Sequence, residues 1–315
     1  MRHIPTMLKL RSIQELSLVP GPVALAIGVF DGVHLGHQEV IRAAQEHAAQ
    51  HQGQAIVMSF DPHPLSVLRP EAQPKRLCGD RQRARLLAAM GVSGTLMCPF
   101  TREVAETSAE DFVNSLVQAC RPLGCISVGY TWSFGRNRSG NIHSLMDLGQ
   151  RHDFAVYGVP PIRRDGQVVS STLIRDAVAV GDLGRASDML GRTYSLLGVV
   201  MEGRKLARQL GFPTANVQPE AEVLPPYGVY AVEACVDGEW LPGIANLGVR
   251  PTVEQEGVRP SLEVNLFDWS GDLYGQDLEV RLKAFVRPEQ KFAGVEALRL
   301  QIAQDVEQAR LLLSA

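Results

Sequence analysis

No histidine occurs after residue 152 of the 315. All eight (His3, His34, His37, His47, His51, His63, His143 and His152) fall in the first half. Acid–base chemistry in the second half therefore falls to a carboxylate, Lys, Tyr or Cys. Such segregation fits two domains with different chemistries, and the length suits two domains better than one. The five cysteines are an odd number without a C-x-x-C pair. That pattern excludes a disulfide framework and points to free thiols in a reducing compartment. No apolar stretch reaches membrane-spanning length, and Met1–Leu10 lacks the apolar region of a signal peptide. With a net charge of −3, no basic surface advertises nucleic-acid binding. The 45% hydrophobic content supplies real cores. A soluble cytoplasmic protein without nucleic-acid or membrane partners is expected, and its oligomeric state is left open.

The most informative segment is Gly28-Val-Phe-Asp-Gly-Val-His-Leu-Gly-His37. The apolar run Val23–Ile27 leads into it and reads as a buried parallel strand. Val40, Ile41, Ala44 and Ala48 follow at helical spacing. A glycine-rich strand-to-helix turn leaves N–H groups unpaired at a helix N-terminus, where an anion fits. His34 and His37 can donate hydrogen bonds to oxygens that gather charge during phosphate chemistry. Neither the Walker lysine nor the G-x-G-x-x-G spacing is present. Two plainer readings stand beside this one. The histidines would ligate a metal only with a third ligand that is not nearby, and Gly28, Gly32 and Gly36 would by themselves make a structural turn. His47 and His51, at i, i+4 amid Ala and Gln, read as a solvated helix face.

Further strands are expected at Ala55–Phe60, Gly94–Cys98, Cys125–Gly129 and Phe154–Tyr157, with helices at Arg81–Met90 and Ala109–Ala119 between them. This alternation implies a parallel sheet with ligands at the carboxyl ends of its strands. Asp61-Pro-His63-Pro64 follows the second strand as a substrate loop or a proline-shaped turn. Ser170-Ser-Thr-Leu-Ile-Arg175 opens another helix. Its hydroxyls suit capping, and the planar fork of Arg175 suits polyphosphate.

Past residue 185 the pattern changes to short alternating segments: Tyr194–Met201, Gly228–Val236, Leu262–Phe267 and Leu278–Phe285. They predict a small antiparallel barrel. A closing helix carries Val295, Leu298, Ile302, Val306, Ala309 and Leu313 as one stripe for packing on it. Gly211-Phe-Pro-Thr-Ala-Asn216 offers Thr and Asn oxygens for a hard ion such as Mg²⁺, or is a capped turn. Glu263 and Asn265 share one strand face, which a catalytic or a merely solvated Glu would equally show.

H-x-G-H after a strand resembles the nucleotidylyltransferase superfamily. G-V-F-D-G-V-H-x-G-H-Q is similar, within it, to the bifunctional bacterial riboflavin kinase/FMN adenylyltransferase (FAD synthetase) family. The P-T-A-N segment resembles riboflavin kinases, as do Gly228–Ala231, Ala245–Thr252, Leu262–Val264, Asp272–Gly275 and Arg287–Phe292. The resemblance implies a Rossmann-like α/β adenylyltransferase domain over 1–185 and a riboflavin kinase-like β-barrel over 186–315. It implies that riboflavin is phosphorylated to FMN and FMN adenylylated to FAD, with ATP and Mg²⁺. Catalytic roles then fall to Glu263, His34 and His37. Nucleotide contacts fall to Gly28, Phe30, Asp31, Gly36, Ser171, Thr172, Arg175, Gly203, Gly211, Thr214 and Asn216, with Thr214 and Asn216 also holding the metal. Flavin contacts fall to His63, Thr131, Trp132, Arg250, Arg287 and Phe292. Two departures from the family pattern stand out. Thr131 and Trp132 replace an Asp/Asn and a Phe, and Arg204 and Ala207 replace an acid and a glycine of the kinase phosphate loop. The alternatives are a kinase with weak or lost adenylyl transfer and a non-catalytic flavin or nucleotide sensor.

Overall fold

A computed structural model of the chain describes residues 7–202, 212–251 and 258–314. Two compact units emerge, one from residues up to 74 with 83–170, the other from 75–82 with 171 onward. The functional division expected at 185/186 therefore lies downstream of the division made by packing.

In the first unit β1 (Leu8–Leu10), β2 (Val23–Ile27), β3 (Gln54–Asp61), β4 (Gly94–Pro99), β5 (Leu123–Gly129) and β6 (Ala155–Val159) form one sheet. The order is β1-β4-β3-β2-β5-β6 and every pairing is parallel. Helices α1 (Leu35–Gln50), α2 (Pro64–Leu68), α3 (Asp80–Ala89), α4 (Arg102–Ala105), α5 (Ala109–Ala119) and α6 (Ile142–His152) come between and after these strands.

All five residues of β2 are buried, so its alternation sorts size rather than polarity. Val23, Leu25 and Ile27 enter a core with Phe112, Val113 and Leu116 of α5 and Leu145 and Leu148 of α6. Ala24 and Ala26 face Val40, Ile41 and Ala44 of α1 on the other side, where small side chains let the helix approach closely. Burial of a side chain such as Leu25 stabilises by about 1.5–3 kcal/mol. A hairpin of β7 (Arg163–Arg164) and β8 (Gln167–Val168) follows β6.

The second unit begins with α7 (Ser171–Ala179) and α8 (Leu183–Leu190), the latter closed by left-handed Gly191 at φ 69°. The barrel strands are β9 (Ser195–Met201), β10 (Ala215–Pro219), β11 (Gly228–Val236), β12 (Glu239–Pro251), β13 (Val258–Leu266) and β14 (Asp277–Pro288). They close as β10-β13-β12-β11-β14-β9, antiparallel throughout. Leu247, Leu262, Val217 and Val280 point inward and are fully buried.

Helix α9 (Val295–Ser314) lies on the outer face, with Val306, Ala309 and Leu313 against Val229, Ala231 and Ile244. Val295, expected in the packing stripe, is 60% exposed because the helix meets the barrel only further along. The expected strands and barrel are present, with β1, β7, β8, β10 and β12 in addition.

All five cysteines are free thiols. Burial pushes Cys120 and Cys125 up to about 12, which makes them poor nucleophiles.

The solvated face expected for His47 and His51 holds for exposed His51 and needs correction for His47. His47 is 7% exposed; its ring stacks on His51, and its Nδ1 lies 3.1 Å from the Tyr157 hydroxyl. It fits because Gly124 has no side chain: a Cβ there would meet His47 Nε2 at 3.0 Å. Together they border a cavity of about 740 Å³ at the amino edge of the sheet.

Desolvation first, then the neighbouring His51, lowers the His47 pKa below 6.5. As pH falls below 6.5 the unfolded chain takes up a proton that the folded chain refuses, and stability declines by at most about 1.4 kcal/mol per pH unit. Urea denaturation of His47→Gln should show a flatter stability profile between pH 7 and 5 than the parent. Parallel profiles would remove His47 as the cause.

Candidate active sites

The strand order reverses direction at β2, which has β3 on one side and β5 on the other. In an open parallel sheet the ligand crevice opens at the carboxyl ends beside such a switch point. The segments that leave β2, β3 and β5 carry His34 at the N-cap and His37 in the first turn of α1, His63, and Thr131 and Trp132, so all five predicted residues stand at that one edge.

Backbone after β2 is tightly constrained. Phe30 and Val33 take positive φ of 55° and 41°, and Gly32 takes 77°. A left-handed residue with a side chain costs about 1–2 kcal/mol, here offset by burial of both side chains. The Phe30 ring lies over Gly28, where a Cβ would come within 3.2 Å of it. Asp31 is buried. Gln38 Nε2 donates to the Val33 carbonyl and Ser59 Oγ to that of Val29, which pins the loop between α1 and β3.

His34 is the N-cap of α1. Its Nδ1 accepts from the backbone N–H of His37 at 3.3 Å. That bond assigns the neutral ring a proton on Nε2, which makes Nε2 a donor. The two imidazoles stack at 3.6 Å, nearly parallel. Gly36 leaves room for the His34 ring, since a Cβ there would lie 3.2 Å from it.

His63 caps α2 in the same way, accepting from Leu65 N–H at 3.0 Å. Thr131 is exposed, whereas Trp132 stacks on Phe134 at 4.5 Å and packs against the core. The departure at Trp132 thus puts one large ring where the family has another.

In the second unit Ser171 and Thr172 open α7, and Arg175 Nε donates to the Lys75 carbonyl at 2.7 Å. Across the barrel, Asn216 pairs directly with Glu263, and Glu263 directly with Asn246. Directly opposed residues share a face with Cβ atoms about 4.5–5.5 Å apart. Three polar side chains thus form a row on the outside, because their neighbours Val217, Leu262 and Leu247 fill the inside.

Thr214 and Asn216 border a cavity of about 550 Å³ that also includes Trp269, Asp272 and Tyr274. Their hydroxyl and amide oxygens are the hard donors that Mg²⁺ prefers, so the donor chemistry fits that ion.

Asn265, one alternation beyond Glu263, donates Nδ2 to the Pro213 carbonyl at 2.7 Å and holds the P-T-A-N segment. Asn265 and Asn246 are not among the expected site residues, although alternation places Asn265 on the face of Glu263.

Arg287 is occupied structurally. Its Nε and Nη2 donate to the Asp305 carboxylate at 2.7–3.0 Å, Nη1 donates to the Pro288 carbonyl, and the guanidinium lies 5.6 Å from the Phe292 ring. Asp305 is 3% exposed and also accepts from Gln301. An acid among the apolar positions of α9 was the sequence signal for this buried pair. Gly203, Gly211, Arg204 and Ala207 lie outside the described residues, as does the side chain of Arg250.

The FAD synthetase family model matches residues 18–173, and the riboflavin kinase model matches 190–313. The chain is 38% identical over 303 residues to the bifunctional riboflavin kinase/FMN adenylyltransferase of Escherichia coli K12, covering 96% of each. It is 40% identical over 286 residues to the enzyme of the same name from Pseudomonas fluorescens, covering 91% of each.

The chain belongs to the bifunctional riboflavin kinase/FMN adenylyltransferase family.

A Streptococcus pneumoniae crystal structure described as a macrolide-efflux protein superimposes with a TM-score of 0.82 at 27% identity, covering 97% of this chain and 99% of that one. Among the described residues no helix is long and apolar enough to cross a membrane. Both family folds are therefore present here in tandem, each with its own polar site.

The N-cap role of His34 separates cleanly from any chemical role. His34→Asn should leave stability within about 0.5 kcal/mol, since Asn caps well, whereas His34→Ala should lose about 1 kcal/mol. Urea midpoints of the two variants test this; equal losses would show that the ring packs rather than caps.

Proposed function

We propose that the chain converts riboflavin to FAD in two ATP-dependent steps, with residues 1–185 carrying adenylyl transfer and 186–315 phosphoryl transfer. The observation that carries this reading is the tandem match of an FAD synthetase and a riboflavin kinase family model, each on a separate fold.

In the kinase step the Glu263 carboxylate accepts the proton of the terminal ribityl hydroxyl. The freed oxygen attacks the γ-phosphorus, the bond to the bridging oxygen breaks, and ADP leaves. Positioning and charge neutralisation supply most of the acceleration in such transfers. Thr214 and Asn216 are the residues that would hold Mg²⁺, which when bound neutralises polyphosphate charge. Gly203 and Gly211 contribute phosphate contacts; Arg250, Arg287 and Phe292 serve the flavin side. Arg287 acts there through its bond to Asp305, which orients the backbone leading to Phe292. A carboxylate base agrees with the lack of histidine in this half.

In the adenylyl step an FMN phosphate oxygen attacks the α-phosphorus of ATP and pyrophosphate departs. His34, a donor through Nε2, and His37 hydrogen-bond to oxygens that gain charge, as preorganised donors do in a site shielded from water. Gly28, Phe30, Asp31 and Gly36 shape the loop for the nucleotide. Ser171, Thr172 and Arg175 supply polyphosphate contacts. His63, Thr131 and Trp132 form the flavin side. The reaction takes place in the cytoplasm, on small-molecule substrates alone.

The test is chromatography of riboflavin, FMN and FAD after incubation with ATP and Mg²⁺. The parent should form both products. Glu263→Gln should lose FMN formation while converting supplied FMN to FAD, and His34→Asn should accumulate FMN with FAD formation down about 10²–10³-fold. Loss of both products in either variant would contradict the division of labour; FMN without FAD from the parent would leave a kinase alone.

A further inference from the structure

The cross-strand row that includes the base continues beyond Asn246. Asn246 on β12 stands opposite Val229 on β11, which stands opposite Arg287 on β14. Just past β14 the chain turns back over this row. Glu289 Oε1 accepts from Asn246 Nδ2 at 3.1 Å. Its carboxylate sits on bare backbone: a Cβ on Gly248 would lie 2.2 Å from the same oxygen. Gly248 and Asn246 share a face by alternation.

The segment Arg287–Phe292 is thus fastened at two points. Arg287 is held by Asp305, and Glu289 is held by the residue directly opposite Glu263.

We infer that Glu289 and Asn246 are a positioning pair that fixes this segment beside the catalytic row and thereby sets the affinity for the flavin. The pair touches neither reacting atom and contributes through placement. Gly248 is the seat that admits the carboxylate, so three residues make one device. The inference rests on the kinase reading of Glu263.

The test uses the full chain, with KM for riboflavin, KM for ATP and kcat for FMN formation measured separately. Conversion of supplied FMN to FAD serves as a control carried by the other half. Glu289→Ala and Asn246→Ala should each raise the riboflavin KM about tenfold, a loss of about 1.4 kcal/mol, with kcat and the ATP KM little changed. Glu289→Gln keeps an acceptor oxygen and should recover most of the lost affinity. Gly248→Ala, whose methyl displaces the carboxylate, should match Glu289→Ala. The Asn246→Ala/Glu289→Ala double variant should be no worse than the poorer single one.

A riboflavin KM unmoved in Glu289→Ala overturns the pairing while leaving the kinase reading intact. Independent, multiplying effects in the double variant overturn it equally, as does an equal fall of kcat and ATP affinity. A parent chain that makes no FMN overturns the kinase reading and this inference with it.

Discussion

Antiparallel register is the constraint on which the second half of this molecule depends. In a closed barrel every strand has two partners, so a shift of one residue in β13 would turn Leu262 and Val264 outward and bury Glu263. The apolar inner residues therefore lock the polar outer ones. Asn216, Glu263 and Asn246 are neighbours only because Val217, Leu262 and Leu247 fill the interior of the same three strands. Core packing and site geometry are one fact seen from two sides.

The first half reaches a site by a different route. No single strand there carries the polar groups; two loops and a loop-to-helix turn at one edge of a parallel sheet do. The sheet places them by connection order, and the loop after β2 is then shaped by buried Phe30 and Val33 in left-handed backbone. Strain of that kind persists only where surrounding packing over-determines it. Its result is a pair of stacked imidazoles whose hydrogen bonding leaves a donor on His34 Nε2. In the proposed reactions the two halves share ATP but meet it with different groups: imidazoles in one, amide and hydroxyl oxygens in the other.

Much of this architecture was legible in the residues. β2, α1 and α5 carry period and caps strong enough to read directly, and the histidine turn named its own surroundings. The barrel was legible as a class, but β12 was not, because Pro242, Gly243 and Gly248 punctuate it as a loop would be punctuated. β10 was hidden within the P-T-A-N segment, whose Ala215 and Asn216 are already strand. His47 and Arg287 show the other limit. Their partners, Tyr157 and Asp305, are distant in sequence, and a polar side chain without its partner reads as solvated or as a ligand contact. Non-local pairing is invisible to periodicity. Asn246 belongs to the same class: it sits in a family-like stretch, yet only register makes it the neighbour of Glu263.

The central claim is that one chain adds two phosphorus atoms to riboflavin from two positions of ATP. Parallel incubations of riboflavin with Mg²⁺ and ATP labelled either at the γ- or at the α-phosphorus test it directly. The account predicts that FMN takes label from the γ position alone, and that FAD takes equal amounts from γ and α. FAD labelled from the α position only, or FMN labelled from it at all, would contradict the account.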